Sequence, residues 1–412
     1  MRLLGPWPGR VRLVLGGQAV SLFGDGLAVV AVPLLALGLT DSAIVTGLAT
    51  ASATIGSLIV AIPAGLIVDR VDPWRVLIVA DVLRTLVFGA LFGLAVAGLL
   101  TAAWLVTFIV AAGAAQAGFE TALTVVVRNM VPDKDLVRAN AVVEFAAQSA
   151  FVLGPGTAAV LTAAGGLHVV LLANTLTFLV SLATLVSARE IIGVARSTAR
   201  STWSHAIADL KQAARYLLSI RPLVLLTALQ MVVNFGLAVE RLLVFYASHS
   251  LHSSPAQIGL VVSGGGLGGM LGVVTAIGSA RRFGSITTVA GGVVAAAIAT
   301  IAMSFANSFH MLWIANVMFV WAVVLASVVN RALRQELTRP DMLGRTTGLA
   351  RLLFRSVDPL GVVVLGALTT AAGGDARPAF MAGGVLALLA VSGAWFAGLR
   401  EFGSPRGGPG RR

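Results

Sequence analysis

Acidic residues inside long apolar stretches are the positions in this sequence with the clearest potential for chemistry. A charged side chain in hydrocarbon is costly, so it is tolerated where it faces a polar cavity or a partner, and such residues usually mark a functional site. Desolvation favours the neutral form of a carboxyl group, which allows that group to bind and release a proton near neutral pH. If the chain carries protons on carboxylates, the candidates are Asp25, Glu120, Glu144, Glu240 and Asp358.

Asp25 is the most deeply placed of these residues. It lies about 12 residues into the first apolar stretch, 13–39, which at 1.5 Å per residue is ~18 Å, close to the bilayer midplane. Glycines occupy positions 24 and 26 on either side. The alternative to a functional role is a permanently neutral Asp25 in a hydrogen bond between helices, and we favour the functional interpretation.

The carboxylates of the second half have basic neighbours. Glu240 and Arg241 are consecutive, so on a helix they point about 100° apart and a pair between them is not assumed. Arg355 and Asp358 have the spacing of helical neighbours and can neutralise each other. For Asp358, an ion pair within its own helix and a role in transport are both open.

The composition predicts a membrane protein built from helices. Of the 412 residues, 58% are hydrophobic and 11% are charged, against about 25% charged in a typical soluble domain. Uncharged stretches of about 20 to 27 residues, each long enough to cross a bilayer, fit into the chain twelve times. We predict an all-α protein with twelve transmembrane helices. The absence of cysteine excludes disulfides, thiolate metal sites and cysteine nucleophiles.

The net charge of +12 orients the chain in the membrane. Of the 29 lysines and arginines, 25 fall on the N-terminal tail, the even-numbered turns or the C-terminal tail, and only Arg377 falls on the opposite face. This is the bias that places basic turns on the cytoplasmic side. We therefore predict a multi-pass protein of the cell (inner or plasma) membrane with both termini in the cytoplasm. The lipid bilayer is its surrounding partner, and nucleic-acid binding is not expected.

A short charged turn joins the second and third apolar stretches. Pro73 is predicted to occupy the first turn of the third helix, where its missing N–H costs nothing. The turn resembles the Gly-x-Leu-x-Asp-Arg loop of the major facilitator superfamily, and its continuation is closer to the drug:proton antiporter branch that includes macrolide and enterobactin exporters. Asp72 stands where that family has glycine. The residues that carry the resemblance, and that we assign to a gating loop, are Gly65, Asp69, Arg70, Arg75, Asp81 and Arg84.

The resemblance implies two pseudo-symmetric six-helix bundles, the major facilitator fold, with a substrate site between them near the midplane. In that family the first, fourth, seventh and tenth helices line the cavity, and Asp69 meets the eleventh helix as a latch. Gly154-Pro155 resembles the antiporter kink of the fifth helix, although Ala158-Ala159 replaces the usual trailing glycines. The substrate-binding candidates on the lining helices are Phe23, Phe119, Gln230, Asn234, Phe235, Asn316 and Phe319.

An internal repeat supports the two halves. Pro340-Asp341, followed by Asp358-Pro359, echoes Pro132-Asp133, followed by Gly154-Pro155. Apolar residues between Trp203 and Leu217 recur at helical spacing, which predicts an amphipathic helix on the inner leaflet. The predicted domains are an N-terminal bundle at 1–187, a cytoplasmic linker with this helix at 188–221, a C-terminal bundle at 222–400 and a disordered basic tail at 401–412.

These features lead to one hypothesis and two alternatives. The hypothesis is a proton-coupled secondary transporter, an antiporter as the resemblance implies, that exports amphiphilic or hydrophobic small molecules such as drugs or macrolides by alternating access. It needs no cofactor other than protons, and we expect a monomer. The first alternative is a narrow exporter of a siderophore or another natural product. The second is a membrane-embedded enzyme or receptor, but no convergent nucleophile, base or metal cluster is visible, and His249 and His252 lack further ligands nearby.

Overall fold

The computed structural model describes residues 7–131, 136–189, 203–339 and 342–403. Over these ranges the chain is almost entirely helical, and twelve helical segments are long and apolar enough to cross a membrane. The predicted twelve-helix, all-α architecture is confirmed. The α-helices are α1 (Gly9–Thr40), α2 (Ala43–Arg70), α3 (Pro73–Val96), α4 (Ala102–Met130), α5 (Leu136–Gly165), α6 (Leu167–Arg189), α7 (Trp203–Ser219), α8 (Arg221–Leu237), α9 (Leu243–His249), α10 (Pro255–Phe283), α11 (Ser285–Ser304), α12 (Phe309–Leu337), α13 (Leu343–Ala371) and α14 (Arg377–Phe396).

The charged turn before α3 shows how the sequence starts a helix. Pro73 is the first residue of α3, as its missing N–H predicted. Asp72 is the N-cap, and its Oδ1 accepts a hydrogen bond of 2.9 Å from the Trp74 backbone N–H. The acidic residue that departs from the family glycine therefore has a local role in starting the helix. The Trp74 side chain is buried, and its Nε1 donates to the Leu185 carbonyl at 3.1 Å.

The described chain divides into two compact units. The first comprises Met1–Ala206 and Ser253–Ser263, and the second comprises Ile207–His252 and Gly264–Arg412. Most of α7 therefore belongs with the second unit, and the first residues of α10 belong with the first unit. Of the internal repeat, Pro155 and Pro359 lie inside α5 and α13. The other members, Pro132-Asp133 and Pro340-Asp341, lie outside the described residues.

In the first unit, α1 packs against α5 and α6, α2 packs against α4, and α3 packs against α4 and α6. The crossing of α1 and α5 depends on glycine, because a Cβ added at Gly154 would lie 2.5 Å from the carbonyl carbon of Gly26. Small residues at such crossings let helix backbones approach closely inside a bilayer. Gly154, which was assigned to a helix kink, is thus needed for contact with the helix that carries Asp25.

We expect Gly154→Ala to lower the free energy of unfolding by about 1–3 kcal/mol, because the added methyl must push α5 away from α1. Gly156→Ala is the matched control two residues along α5, where the nearest atom, Ser263 Oγ, would be 3.5 Å from the new Cβ. That variant should be neutral or slightly stabilising, since alanine is the better helix former. Thermal unfolding of both purified variants checks the difference, and equal stabilities would contradict the close-packing role of Gly154.

In the second unit, α11 packs against α12 and α14, and α8 packs against α13 and α14. The seventh span, predicted as one helix, is interrupted here. A 3₁₀ turn at Ala238–Leu242 separates α8 from α9. Such a turn in the middle of a span often marks a functional position. It carries Glu240 and Arg241, so the interruption coincides with the only charged residues of this span away from its first residue, Arg221.

The amphipathic helix expected between the two halves is α7, and part of its apolar face packs against protein. Ala213 and Leu217 are buried with Leu349 and Ala350 of α13 in one apolar cluster. The polar side of α7 also contacts the second unit, because Arg345 of α13 lies 3.2 Å from Asp209. α7 is therefore docked on α13 through both apolar and charged contacts, and its location at the inner leaflet stays a prediction.

Candidate functional site

A buried arginine organises the charged cluster of the first unit. Arg84 of α3 is 1% exposed, and its Nη2 donates to both carboxylate oxygens of Asp25 on α1, at 2.7 and 2.8 Å. Its Nη1 lies 3.3 Å from Oδ1 of Asp81, one turn earlier on α3. Two carboxylates thus share one guanidinium. The structure places Asp81 and Arg84 with Asp25 in the interior, and not on the gating loop to which the sequence analysis assigned them.

The surroundings of Arg84 stabilise its positive charge. Nη1 also donates to Ser21 Oγ at 3.2 Å. The guanidinium carbon lies 3.9 Å from the ring centroid of Phe178 and 5.6 Å from that of Phe119. A desolvated guanidinium over an aromatic face gains about 2 kcal/mol. Phe119, a substrate-binding candidate, is fully buried in this core, so its ring faces the arginine.

The cluster has one surplus negative charge when all three groups are ionised. Two carboxylates around one guanidinium give −1, and removing such a charge from water is costly. The two carboxylates differ in access: the Asp25 side chain is 36% exposed, whereas Asp81 is 0% exposed. Asp25 is therefore the more accessible of the two carboxylates, and a proton on either one would bring the cluster to neutrality.

The other site candidates of the first unit are less enclosed. Glu120 of α4 is exposed and accepts a hydrogen bond of 3.0 Å from Gln116 Nε2, one turn before it. Phe23 is partly buried on α1, and Arg75 is exposed in the first turn of α3. The surroundings of four further candidates are outside what the structure describes: Glu144, Gly65, Asp69 and Arg70. The latch proposed for Asp69 stays a prediction.

The second unit contains a cavity of about 190 Å³. Its wall brings together several sequence-predicted residues from four helices and from the 3₁₀ turn. Apolar side chains form most of the wall, and a few polar groups converge at the two ends, the arrangement typical of small-molecule sites. The lining residues are Leu226, Leu229, Gln230, Val233, Asn234, Leu237, Glu240, Arg241, Val289, Val293, Ala296, Phe319, Val323, Ala326, Ser327, Asn330 and Asp358.

One end of the cavity is a chain of amide hydrogen bonds. Asn330 Nδ2 donates to Gln230 Oε1 at 2.9 Å, and Gln230 Nε2 donates to Asn234 Oδ1 at 2.6 Å. Asn234 Nδ2 in turn donates to the Phe354 carbonyl at 2.9 Å, in the turn of α13 that precedes Pro359. Each amide is thereby oriented, and α8, α12 and α13 are joined.

Arg334 extends this chain away from the cavity. Its Nε donates to Asn330 Oδ1 at 3.4 Å, and its Nη1 donates to Thr227 Oγ1 at 3.2 Å. Sequence reasoning counted Arg334 among the basic residues of a cytoplasmic turn and missed this contact. The signal that could have found it was the pair Asn330 and Arg334, one helical turn apart near the end of an apolar stretch.

The other end of the cavity is charged. Arg241 Nη2 lies 3.5 Å from Asp358 Oδ2, so the partner of Asp358 is on the 3₁₀ turn and not Arg355 on its own helix. The pairing of Arg355 with Asp358 is therefore corrected, and Arg355 is exposed. Glu240 lines the cavity, and its carboxylate forms neither a hydrogen bond nor an ion pair with any residue that the structure describes.

Two substrate-binding candidates of the second unit lie elsewhere. Phe235 is not part of the cavity wall. Asn316 is also absent from the wall, is 1% exposed and lies against α10, since a Cβ at Gly265 would be 3.3 Å from its Nδ2. Both residues lie on the expected seventh and tenth spans, but neither lines this cavity.

Comparison with known families explains why the charged turn before α3 resembles the loop of the major facilitator superfamily. The family model for the Major Facilitator Superfamily matches residues 14–248, which is more than half of the chain. The chain belongs to the Major Facilitator Superfamily. It is accordingly a multi-pass membrane transporter with a small-molecule substrate.

Relatives and solved structures extend this finding. The chain is 27% identical over 387 residues to the multidrug efflux pump Tap of Mycobacterium tuberculosis (strain ATCC 25618 / H37Rv), covering 88% of this chain and 87% of that protein. It is 26% identical over 381 residues to the multidrug efflux pump Tap of Mycolicibacterium fortuitum, covering 89% and 90%.

Among solved structures, the nucleoside transporter NupG aligns with a TM-score of 0.77 at 11% identity, covering 94% of this chain and 99% of that one. A bacterial homologue of the iron transporter ferroportin, in an inward-facing state, aligns with a TM-score of 0.72 at 17% identity, covering 93% and 98%. At these identities the structures show a shared fold, and the fold is that of transporters.

Proposed function

We propose that this transporter exports amphiphilic or hydrophobic small molecules across the cell membrane in exchange for protons. The observation that carries the proposal is the cluster of Asp25, Asp81 and Arg84, whose surplus negative charge sits among apolar helices. Twelve spans without an accessible titratable group would have no means of sensing a proton gradient. A partly exposed Asp25 supplies that means.

The proton step follows from the geometry of the cluster. When Asp25 is ionised, both of its oxygens accept from Arg84 Nη2. A proton on Asp25 removes the charge on one side of the guanidinium, so Arg84 is then balanced by Asp81 alone. Arg84 contacts side chains of α1, α3, α4 and α6. A change in its pairing therefore alters contacts with four helices at once. Proton binding at Asp25 can thereby change how the helices of the first unit pack.

The substrate class is inferred from two lines of support. The proteins named multidrug efflux pump Tap align over most of the chain. The cavity of the second unit offers an apolar wall with a few polar groups, which suits amphiphilic molecules. The basic residues on the even-numbered turns support a location of both termini in the cytoplasm.

Reconstituted vesicles test the exchange. Purified transporter is placed in liposomes with an acidic lumen, and accumulation of the fluorescent cation ethidium in the lumen is followed. We expect uptake that needs the pH gradient and stops when nigericin collapses it in potassium buffer. Uptake at the same rate with and without the gradient would show a uniporter and overturn proton exchange. Empty liposomes and liposomes with heat-inactivated protein provide the background.

A further inference from the structure

The cavity of the second unit has a charge balance of its own. Three ionisable side chains line its charged end: Glu240, Arg241 and Asp358. Arg241 lies within ion-pair distance of Asp358 at 3.5 Å, and its charge also acts on Glu240. One guanidinium thus serves two carboxylates, which leaves one surplus negative charge when all three groups are ionised. Since the Glu240 carboxylate forms no hydrogen bond or ion pair with the described residues, its two oxygens remain available to a ligand. The acidic end of the cavity is therefore electrostatically incomplete.

The positive charge of Arg334 does not complete it. Arg334 binds Thr227 and Asn330, at the far end of the amide chain. Thr227 and Glu240 are 13 residues apart on the seventh span, which corresponds to about 20 Å along a helix. A guanidinium at that distance does not neutralise Glu240 at short range.

The size and lining of the cavity define what fits. Its volume of about 190 Å³ somewhat exceeds the roughly 150 Å³ of an engineered apolar cavity that holds benzene. Phe319, Val289, Val293 and Ala296 line it with apolar surface. A single aromatic ring with a small charged group thus matches the space, and a larger substrate would place only one end there.

We propose that this cavity is a binding subsite for the cationic end of a substrate, with Glu240 as the counter-ion and the apolar wall around the adjoining ring. The inference rests on the proposed export function, since it names the substrate class as organic cations. It also assigns separate roles to the two units. Asp25 in the first unit binds the proton, and Glu240 in the second unit binds the cation.

Benzyltrimethylammonium is a suitable probe because its charge does not depend on pH. Binding of the radiolabelled compound to purified, detergent-solubilised transporter is measured by scintillation proximity, with neopentylbenzene as the neutral competitor of the same shape. We expect the cation to bind and Glu240→Gln to weaken its binding roughly 10- to 100-fold, because the substitution removes a short-range attraction between opposite charges in a partly desolvated site. The neutral molecule should compete poorly, whatever the residue at 240.

Two further variants distinguish the effect of the charge at position 240 from effects of cavity volume and of folding. Ser327→Phe adds a ring to the cavity wall without changing its charge, and should also prevent binding. Glu336→Gln makes the same chemical change as Glu240→Gln at an exposed position of α12 and should bind like the wild type. Thermal unfolding of each variant, measured alongside, shows that a loss of binding is not a loss of folded protein.

The outcomes distinguish the subsite from the export function. Wild-type affinity in folded Glu240→Gln or in folded Ser327→Phe would overturn the subsite, even if the vesicles show proton-driven ethidium uptake. Loss of binding in both variants, together with uptake that ignores the pH gradient, would keep the subsite and remove proton exchange. Equal weakening by Glu336→Gln would show a general electrostatic effect and also overturn the role of Glu240.

Discussion

Arg84→Met is expected to lower the free energy of unfolding by about 3–5 kcal/mol, the cost of leaving buried charge without its partner. Methionine has a length similar to the apolar part of arginine, so the loss is mainly electrostatic. Asp81, which is fully buried, would face the uncompensated Asp25 carboxylate across the space left by the guanidinium. The contact with the Phe178 ring at 3.9 Å would also be lost. Thermal unfolding of the purified variant in detergent measures the effect.

Two controls show whether charge is the cause. Arg75→Met makes the same substitution at an exposed position of α3, where changes of stability are usually within about 0.5 kcal/mol. The triple variant with Arg84→Met, Asp25→Asn and Asp81→Asn removes all three charges and should recover much of the lost stability. A triple variant no more stable than Arg84→Met alone would contradict the electrostatic account and point to packing of the arginine side chain.

Asp25→Asn is expected to abolish the part of transport that depends on the pH gradient. Asparagine keeps the size of the side chain and one acceptor for Arg84, and Asp81 still balances the guanidinium. What is lost is the site at which a proton can bind. In the vesicle assay, ethidium uptake with an acidic lumen should fall to the rate measured after nigericin treatment, while binding of benzyltrimethylammonium to the second unit stays at the wild-type level.

The matched control for this prediction is Asp41→Asn, which removes a carboxylate from the C-terminal cap of the same helix α1. Asp41 is exposed and has a φ of 49°, a conformation that asparagine tolerates well. Gradient-driven uptake should persist in this variant. Persistent gradient dependence in Asp25→Asn, with its loss in Glu120→Gln, would move the proton site from the buried cluster to the exposed carboxylate of α4.

The helical framework was predictable because it depends on local properties of the chain. Apolar length specifies which segments can cross a bilayer, so the twelve spans follow from composition and spacing. Pro73 begins α3 because its missing N–H is harmless only in a first turn. The break at Ala238–Leu242 was missed, because that stretch contains neither proline nor glycine and remains apolar enough to suggest one continuous helix.

The pairing of charges was decided by the tertiary structure. The sequence identified Asp25, Glu240 and Asp358 as unusual, but their partners depend on how helices rotate and cross. Asp25 and Arg84 are 59 residues apart. A carboxylate in hydrocarbon needs some counter-charge, and a one-dimensional pattern cannot choose among arginines on different helices. Of the two alternatives left open for Asp358, the ion pair within its own helix is not formed for this reason: Arg241 is nearer in space, although Arg355 is nearer in sequence.

By itself, the amino-acid sequence determined which residues enter the membrane and which of them are costly to place there, because burial in hydrocarbon depends on segment length and residue type. The packing of helices alone decided which costly groups share a site. Glycine contacts such as Gly26 with Gly154 place α1 and α5 at close range, and the cavity beside Glu240 exists only because four helices and a 3₁₀ turn leave space between them. Segment length, residue type and local helix signals can be read from the sequence, whereas the distance between two side chains on different helices is a property of the folded protein.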